Sequence, residues 1–326
     1  MRLLVGDIGG TKTALGVAET DGESVTLVEP RRYPSAAFDS FDQIVRRYCA
    51  ETGLICRFAA FAVAGPVQDR CCAATNLPWV LEADVLEESF GFAGVEILND
   101  LAAVAWGVPA LGPDDLAELH PGDGSGRGNA CVVSAGTGLG EAGLYWDGFR
   151  HHPFATEGGH TDFAPADDLE FALLSHLKTR FGRVSWERVV SGMGIANLYD
   201  FLLTRHGGQT PDWLRKVIDE GGDTPAAVAQ AAAEGRCPIC VETMELFLRL
   251  YGREAGNMAL QQMALGGVFL AGGIALKNLP ALRRGGFLEG FFDKGRMGAL
   301  MRRMPVRVIL QPHTPLMGAA RFMASQ

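Results

Sequence analysis

The chain has 326 residues, of which 48% are hydrophobic and 21% charged. This length supports two domains with ample core, and the balance is that of a globular protein rather than a disordered one. A net charge of −9 and a pI near 5.3 argue against a general nucleic-acid or membrane-surface binder, while leaving room for a local basic pocket.

The seven cysteines are odd in number and lack framework spacing, which points to reduced thiols and a cytoplasmic protein. No signal peptide is visible before the first strand, and the longest apolar run, Met263 to Leu276, is short for a membrane span and carries four glycines. Leu3-Leu4-Val5 reads as a buried strand, followed by a tight turn at Gly9-Gly10 and extended chain again at Thr11 and Thr13. Such a strand–turn–strand unit offers free N–H groups and a hydroxyl at its bend, a natural anion nest. Asp7 just before it makes sense if Mg²⁺ lies between carboxylate and phosphate. An ordinary glycine hairpin fits this stretch equally well.

Residues 2–29 are expected to form a three-stranded meander and Phe41 to Tyr48 a helix. Phe58 to Ala64 is an apolar strand ending at Gly65-Pro66, and strand carboxyl ends are where open α/β folds place their sites. Thr75 to Trp79 reads as a turn with a packed Trp. Val95 to Leu98 is a further strand, then Asn99-Asp100 leads into a helix from Leu101 to Val108, stopped near Pro109. Either Asn99 or Asp100 simply caps that helix, or Asp100 points into a cleft as a general base.

A glycine-rich loop from His120 to Asn129 precedes a second copy of the first plan. Cys131 to Ala135 is an apolar strand, Gly136-Thr137-Gly138 a bend, and Ala142 to Trp146 a strand again. Two phosphate-type bends suggest two related halves with a nucleotide between them. No Gly-Lys pair exists for a Walker A loop. Gly138 to Gly143 fits GxGxxG formally, but the following residues read as a strand running into an Asp-Gly turn, whereas a dinucleotide fingerprint must open a helix.

Glu157-Gly158-Gly159-His160 sets an acid and an imidazole three apart, suited to gripping hydroxyls; a metal would need a third ligand that is not evident. Asp167 to Phe181 reads as a helix with Asp167 or Asp168 at its start. Glu187-Arg188 and Ser191-Gly192-Met193-Gly194 follow, the glycines marking a break before a helix from Ile195 to Thr204. Ala226 to Ala233 and Val241 to Ala264 are helices, the second largely apolar. Cys237-Pro238-Ile239-Cys240 is a lone CxxC, read as helix packing because zinc would need a second pair or nearby histidines; Cys71-Cys72 reads as buried filler. Val268 to Ala275 is a buried strand into a glycine bend, where a flat purine could lie against bare backbone. Val306 to Leu310 is a last strand, and Thr314-Pro315 starts the final helix with Thr as cap.

Asp7-Ile8-Gly9-Gly10-Thr11, Leu98-Asn99-Asp100, Gly136 to Gly140, Glu157 to His160, Glu187-Arg188, Ser191-Gly192 and Ala271 to Ile274 occur in that order. The ordered set resembles bacterial glucokinases of the hexokinase–actin-like ATPase superfamily, in the branch best known from enteric bacteria, over nearly the whole chain. The resemblance implies an α/β, actin-like (ribonuclease H-like) fold of duplicated domains with an interdomain cleft. Residues 1–108 plus 311–326 would form the small domain and 109–310 the large one, and the protein would be a homodimer. Asp100 matches the catalytic base, and Asn99, Asp100, Glu157, His160 and Glu187 match the sugar-binding set. Gly9, Gly10, Thr11, Lys12, Gly136, Thr137 and Gly138 match the phosphate loops, Gly272 and Gly273 the adenosine end, and Asp7 the Mg²⁺-side carboxylate, acting through water. Lys12-Thr13 is closer to the neighbouring repressor/ORF/kinase group, whose zinc-binding cysteine cluster is missing here, and Glu141 stands where a small or apolar residue is usual.

The expected activity is transfer of the γ-phosphoryl of Mg·ATP to the 6-hydroxyl of glucose, the first step of glycolysis, with Asp100 accepting the hydroxyl proton. No nucleic-acid or membrane partner is expected. The alternatives are a kinase for another hexose or hexosamine, a donor other than ATP such as ADP or polyphosphate, and a non-catalytic sugar sensor on the same fold. The sensor is disfavoured by the few residues ahead of the first strand and by the negative charge.

Overall fold

The computed structural model describes every residue except Asn76 and Ser125; Asn76, in the expected turn 75–79, lies outside the described residues. The chain divides into two compact units. One comprises Met1–Leu116, Ala142–Ala155 and Leu310–Gln326, the other Ala117–Glu141 and Thr156–Ile309.

In the first unit β1 (Arg2–Ile8), β2 (Lys12–Thr20) and β3 (Val25–Pro34) form the expected antiparallel meander. The third strand runs five residues past the expected end at 29, because a bulge between Leu15 and Val17 restores pairing of Lys12–Leu15 with Arg31–Pro34. Helix α1 (Phe41–Thr52) follows and stops at Gly53. Strand β4 (Phe58–Val63) lies parallel to β1. Three short strands that the residue pattern did not announce, β5 (Val67–Gln68), β6 (Cys71–Ala73) and β7 (Val80–Glu82), make a small antiparallel sheet. Helix α2 (Ala83–Phe90), also unforeseen, leads to β8 (Gly94–Asn99), parallel to β4, and then to α3 (Asp100–Gly107).

The main sheet has the order β3-β2-β1-β4-β8, with both faces covered. Leu4 and Ile8 enter one core with Phe41, Ile44, Tyr48 and Phe61. Leu3 and Val5 enter another with Ala103 and with Leu316, Ala319 and Met323 of the last helix, Thr314–Ala324. Burial on both sides is why β1 reads as a continuous apolar run rather than an alternating one. Trp79 is buried, as expected, and the last helix takes His313 rather than Thr314 as its cap, with Thr314 and Pro315 in the first turn.

The second sheet runs β12-β11-β10-β13-β14-β9. Its strands are β9 (Leu116–His120), β10 (Ala130–Ala135), β11 (Leu139–Trp146), β12 (His151–Thr156), β13 (Gly267–Ala271) and β14 (Val306–Ile309). Strand β10 is parallel to β13, and β13 to β14. Apart from β9 this repeats the order of the first sheet, so the two related halves expected from the paired bends are present in the backbone. The bend 136–138 continues into a strand, not a helix, which bears out the rejection of the dinucleotide fingerprint.

Helix α4 (Asp168–Phe181) is capped by Asp167, whose side chain accepts from the Glu170 amide. Helix α5 (Gly192–Arg205) begins three residues earlier than expected: Ser191 caps it through the Gly194 amide, which turns the glycines into a first turn rather than a break. Helices α6 (Asp212–Asp219) and α7 (Thr224–Ala233) lead to α8 (Pro238–Gln262). The long α8 is a core helix, with Phe247, Leu250 and Tyr251 fully buried and Tyr251 Oη donating to the Val133 carbonyl at 3.1 Å. Cys237 and Cys240 are buried at its start, and Cys72 is buried in β6. After β13 the chain turns at once into α9 (Gly272–Lys277), so the expected strand to Ala275 ends at Ala271. Short helices α10 (Leu279–Leu282), α11 (Gly286–Phe292) and α12 (Gly298–Met301) complete the unit. Among the described residues no helix is long and apolar enough to cross a membrane.

Candidate active site

The first bend joins β1 to β2. The Gly9 amide donates to the Lys12 carbonyl at 3.1 Å and closes the turn. Among the described residues the Gly10 and Thr11 amides donate to no protein acceptor, so two N–H groups remain for an anion. Lys12 is exposed at the start of β2. Ser35 holds the bend from behind: its amide donates to the Thr11 carbonyl at 3.1 Å and its hydroxyl to the Gly9 carbonyl at 2.8 Å. Thr13 Oγ1 lies 3.0 Å from that hydroxyl, completing a buried polar clasp.

Asp7, Asn99 and Asp100 lie at the carboxyl ends of the parallel strands β1 and β8. The capping question resolves in favour of Asn99, whose Oδ1 accepts from the Leu101 amide at 3.0 Å and the Ala102 amide at 3.2 Å. Its Nδ2 donates to the Gly65 carbonyl at 3.2 Å, so one side-chain N–H is left for a substrate. Asp100 occupies the first turn of α3 and accepts from its neighbour Leu101 at 2.9 Å. Burial first, and the Asp100 charge second, push the Asp7 carboxyl up to about 7, with Arg32 acting in the opposite direction. Two carboxylates that repel one another at a strand end, beside free amides, fit a hard divalent cation accompanying a phosphate.

The second bend repeats this geometry. The Gly136 amide donates to the Gly138 carbonyl at 2.9 Å, while the Thr137 and Gly138 amides donate to no acceptor among the described residues. Gly192 and Glu187 support this second bend. The Gly192 amide donates to the Gly136 carbonyl at 2.8 Å. Glu187 Oε2 accepts from the Leu139 amide at 3.0 Å, with the carboxylate packed on Gly138.

Glu187 also stands beside His160, one of the residues expected to grip hydroxyls. It sits in a single helical turn, Trp186–Arg188, anchored by the buried Trp186, whose amide donates to the Thr161 carbonyl at 3.0 Å. His160 Nδ1 lies 3.9 Å from Glu187 Oε1, and His160 Nε2 lies 3.8 Å from Glu157 Oε2. Both spacings exceed a hydrogen bond, so these atoms keep capacity for ligand hydroxyls. Glu157 and His160 are exposed while Glu187 is only 18% exposed, a deep acid behind two accessible groups.

Gly272 has φ +85°, and a Cβ there would meet the Ala135 carbonyl oxygen at 2.3 Å, so the start of α9 presses against the strand that leads into the second bend. A Cβ at Gly273 would meet nothing within 4 Å, leaving its backbone open to a flat ligand. The structure therefore gathers Asp7, Asn99, Asp100 and the first bend in one unit. It gathers Gly136 to Gly138, Glu157, His160, Glu187 and Gly272-Gly273 in the other. Ser35 was missed. A lone serine after a strand carries no signal until β3 is known to run back to the bend.

A family model described as Glucokinase matches residues 4–326. The glucokinase of Synechocystis sp. is 42% identical over 348 residues, an alignment covering 98% of this chain and 97% of that one. The glucokinase of Caulobacter vibrioides is 38% identical, covering 97% and 93%. Among solved structures, a glucokinase from an Antarctic psychrotroph superposes with a TM-score of 0.87 at 30% identity, covering 100% of this chain and 99% of that one. A ROK family glucokinase from Streptomyces griseus, in complex with glucose and AMPPNP, shares the fold at a TM-score of 0.65 and 22% identity, covering 99% of each chain. With the duplicated sheets, these likenesses identify an actin-like ATPase fold, and the chain belongs to the glucokinase family.

Proposed function

We propose that this protein transfers the γ-phosphoryl of ATP to the 6-hydroxyl of glucose, giving glucose 6-phosphate and ADP. The observation that carries the reading is the pair of glycine bends, each offering two unpaired N–H groups, in a chain of this family. Phosphoryl transfer asks the protein mainly for positioning and charge stabilisation, and fixed amides supply both. Asp100 takes the proton of the attacking hydroxyl, an effect typically worth about 10²–10⁴-fold. Glu157, His160 and Glu187, with the remaining N–H of Asn99, hold sugar hydroxyls. Gly9 to Lys12 and Gly136 to Gly138 hold phosphates, and Gly272-Gly273 offers backbone to the adenosine end. Asp7 is suited to Mg²⁺, acting through water, and Mg²⁺ bound with ATP would neutralise phosphate charge. In this reading the enzyme acts in the cytoplasm as a homodimer at the entry to glycolysis, which the family resemblance supports.

The test is ADP release from Mg·ATP with glucose, mannose, fructose, galactose and N-acetylglucosamine. Release with glucose alone is expected. Release with another sugar instead would replace the substrate and keep the mechanism. Absence of sugar-dependent release would overturn the kinase reading with ATP as donor.

A further inference from the structure

Glu141 and Glu254 are both 2% exposed, and the reaction as described uses neither. Glu141 lies on β11, three residues after the second bend; Glu254 lies on α8. The two carboxyls act on one another electrostatically. Two carboxyls buried near one another are costly to ionise together, so one tends to keep a proton. Glu141 Oε1 is buried and accepts from no N–H or hydroxyl among the described residues. Glu254 Oε2 instead accepts from Asn257 Nδ2 at 2.8 Å, and Asn257 Oδ1 accepts from Lys294 Nζ at 2.7 Å.

Glu141 lies directly beneath the loop that carries Glu157 and His160. A Cβ on Gly158 would come within 1.9 Å of Glu141 Oε2 and 3.0 Å of its Cδ, so the carboxyl fills the space under that residue. The Glu141 carbonyl accepts from Thr156 Oγ1 at 2.9 Å, and that hydroxyl accepts in turn from the Gly158 amide at 3.3 Å. Next door, a Cβ on Gly159 would strike the Leu139 carbonyl oxygen at 2.1 Å. The loop therefore rests on β11 through Gly158 and Gly159, with the Glu141 side chain as one of its supports.

We propose that Glu141 is a positioning residue for the sugar loop: its carboxyl fills the space under Gly158 and fixes the turn that presents Glu157 and His160. The proposal rests on the reading of Glu157 and His160 as sugar ligands. Burial raises both carboxyls, and the Glu141 charge raises Glu254 further, so Glu254 is the member that keeps the proton. The other ionisable groups facing the pair are Cys131 on β10, Tyr251 on α8 and Lys294 after α11; of these only Lys294 is cationic, and it favours the charged form of Glu254. Loss of the Glu254 proton at alkaline pH sets a second buried negative charge against Glu141 and loosens the loop that rests on it.

The experiment is calorimetric titration of glucose into the wild type, E141A, E141Q and E254Q at pH 6.5 and pH 9.5, with kcat and both KM values measured alongside. Removing the support in E141A should weaken glucose binding about tenfold, the loss of one well-made hydrogen bond's worth of order. KM for ATP should change less than twofold, and E141Q, which keeps the shape, should restore most of the affinity. E254Q cannot ionise at this position, so its glucose affinity should fall less between the two pH values than that of the wild type. If E141A does not fold, the E254Q comparison still decides. Unchanged glucose affinity in E141A, or an E254Q pH profile that overlays the wild type, overturns the positioning role. A wild type that binds no glucose overturns the sugar-site reading itself, and the two failures are thereby told apart.

Discussion

The molecule contains two pairs of acids that repel one another, and their surroundings differ. Asp7 and Asp100 stand at strand ends beside unpaired amides, both mostly buried yet not closed off. Glu141, on β11 beneath a glycine turn, and Glu254, on α8, are both almost fully buried. In each pair one carboxyl is raised by burial first and by its partner's charge second. The same electrostatic tension is relieved in different ways. The accessible pair can take a cation and exchange protons with a substrate, whereas the enclosed pair can only keep a proton and hold its shape. A perturbed carboxyl is thus a pointer to function only when its access to solvent and ligand is considered with it.

The sharpest way to break this contrast is D100N. Turnover should fall by about 10²–10⁴-fold while calorimetric glucose affinity stays within a fewfold of the wild type. Near-normal turnover would remove Asp100 from its role as base. Next in size, D7N should lower kcat/KM for Mg·ATP by about 10–100-fold, the loss of a charged interaction of roughly 1.5–3 kcal/mol, with the glucose dissociation constant unchanged. A D7N effect confined to glucose would place the first pair on the sugar instead.

The enclosed pair is probed by stability. Glu254 is raised from 4.5 to about 9, so the folded protein holds its proton more tightly than the unfolded chain does. That stabilisation is complete below about pH 4.5 and is lost as pH rises towards 9. The wild type should therefore lose Tm across the neutral to alkaline range, and E254Q should lose less; parallel Tm–pH curves would show that the pair does not hold its proton. Smallest is S35A, which opens the clasp behind the first bend. It should raise KM for ATP about fivefold, on the order of 1 kcal/mol, with glucose affinity unaffected.

Much of this site was legible in the residues because glycine bends and strand-end acids are local signals. Asp7 to Lys12 and Gly136 to Gly138 each needed only the order of apolar run, glycine and apolar run. The misreadings were also local in origin. Gly192 and Gly194 looked like a break because isolated glycines weaken helices, yet Ser191 caps the segment and makes them its first turn. Gly272-Gly273 looked like the end of a long strand because Ile274-Ala275 is apolar, yet φ +85° at Gly272 turns the chain into a helix at once. The small sheet β5-β6-β7 left no periodic trace, since strands of two or three residues are too short to show one.

The sequence by itself determined the duplicated strand–bend–strand plan, the core helices and the residue types available for phosphate, cation and sugar, because each is written in a continuous stretch. Only the tertiary structure decided that Ser35 clasps the first bend and that Glu187 ties the Leu139 amide near His160. It also decided that the Glu141 carboxyl lies beneath Gly158. These contacts join residues far apart in the chain, and no local pattern encodes a distance that exists only once the sheets and helices have packed.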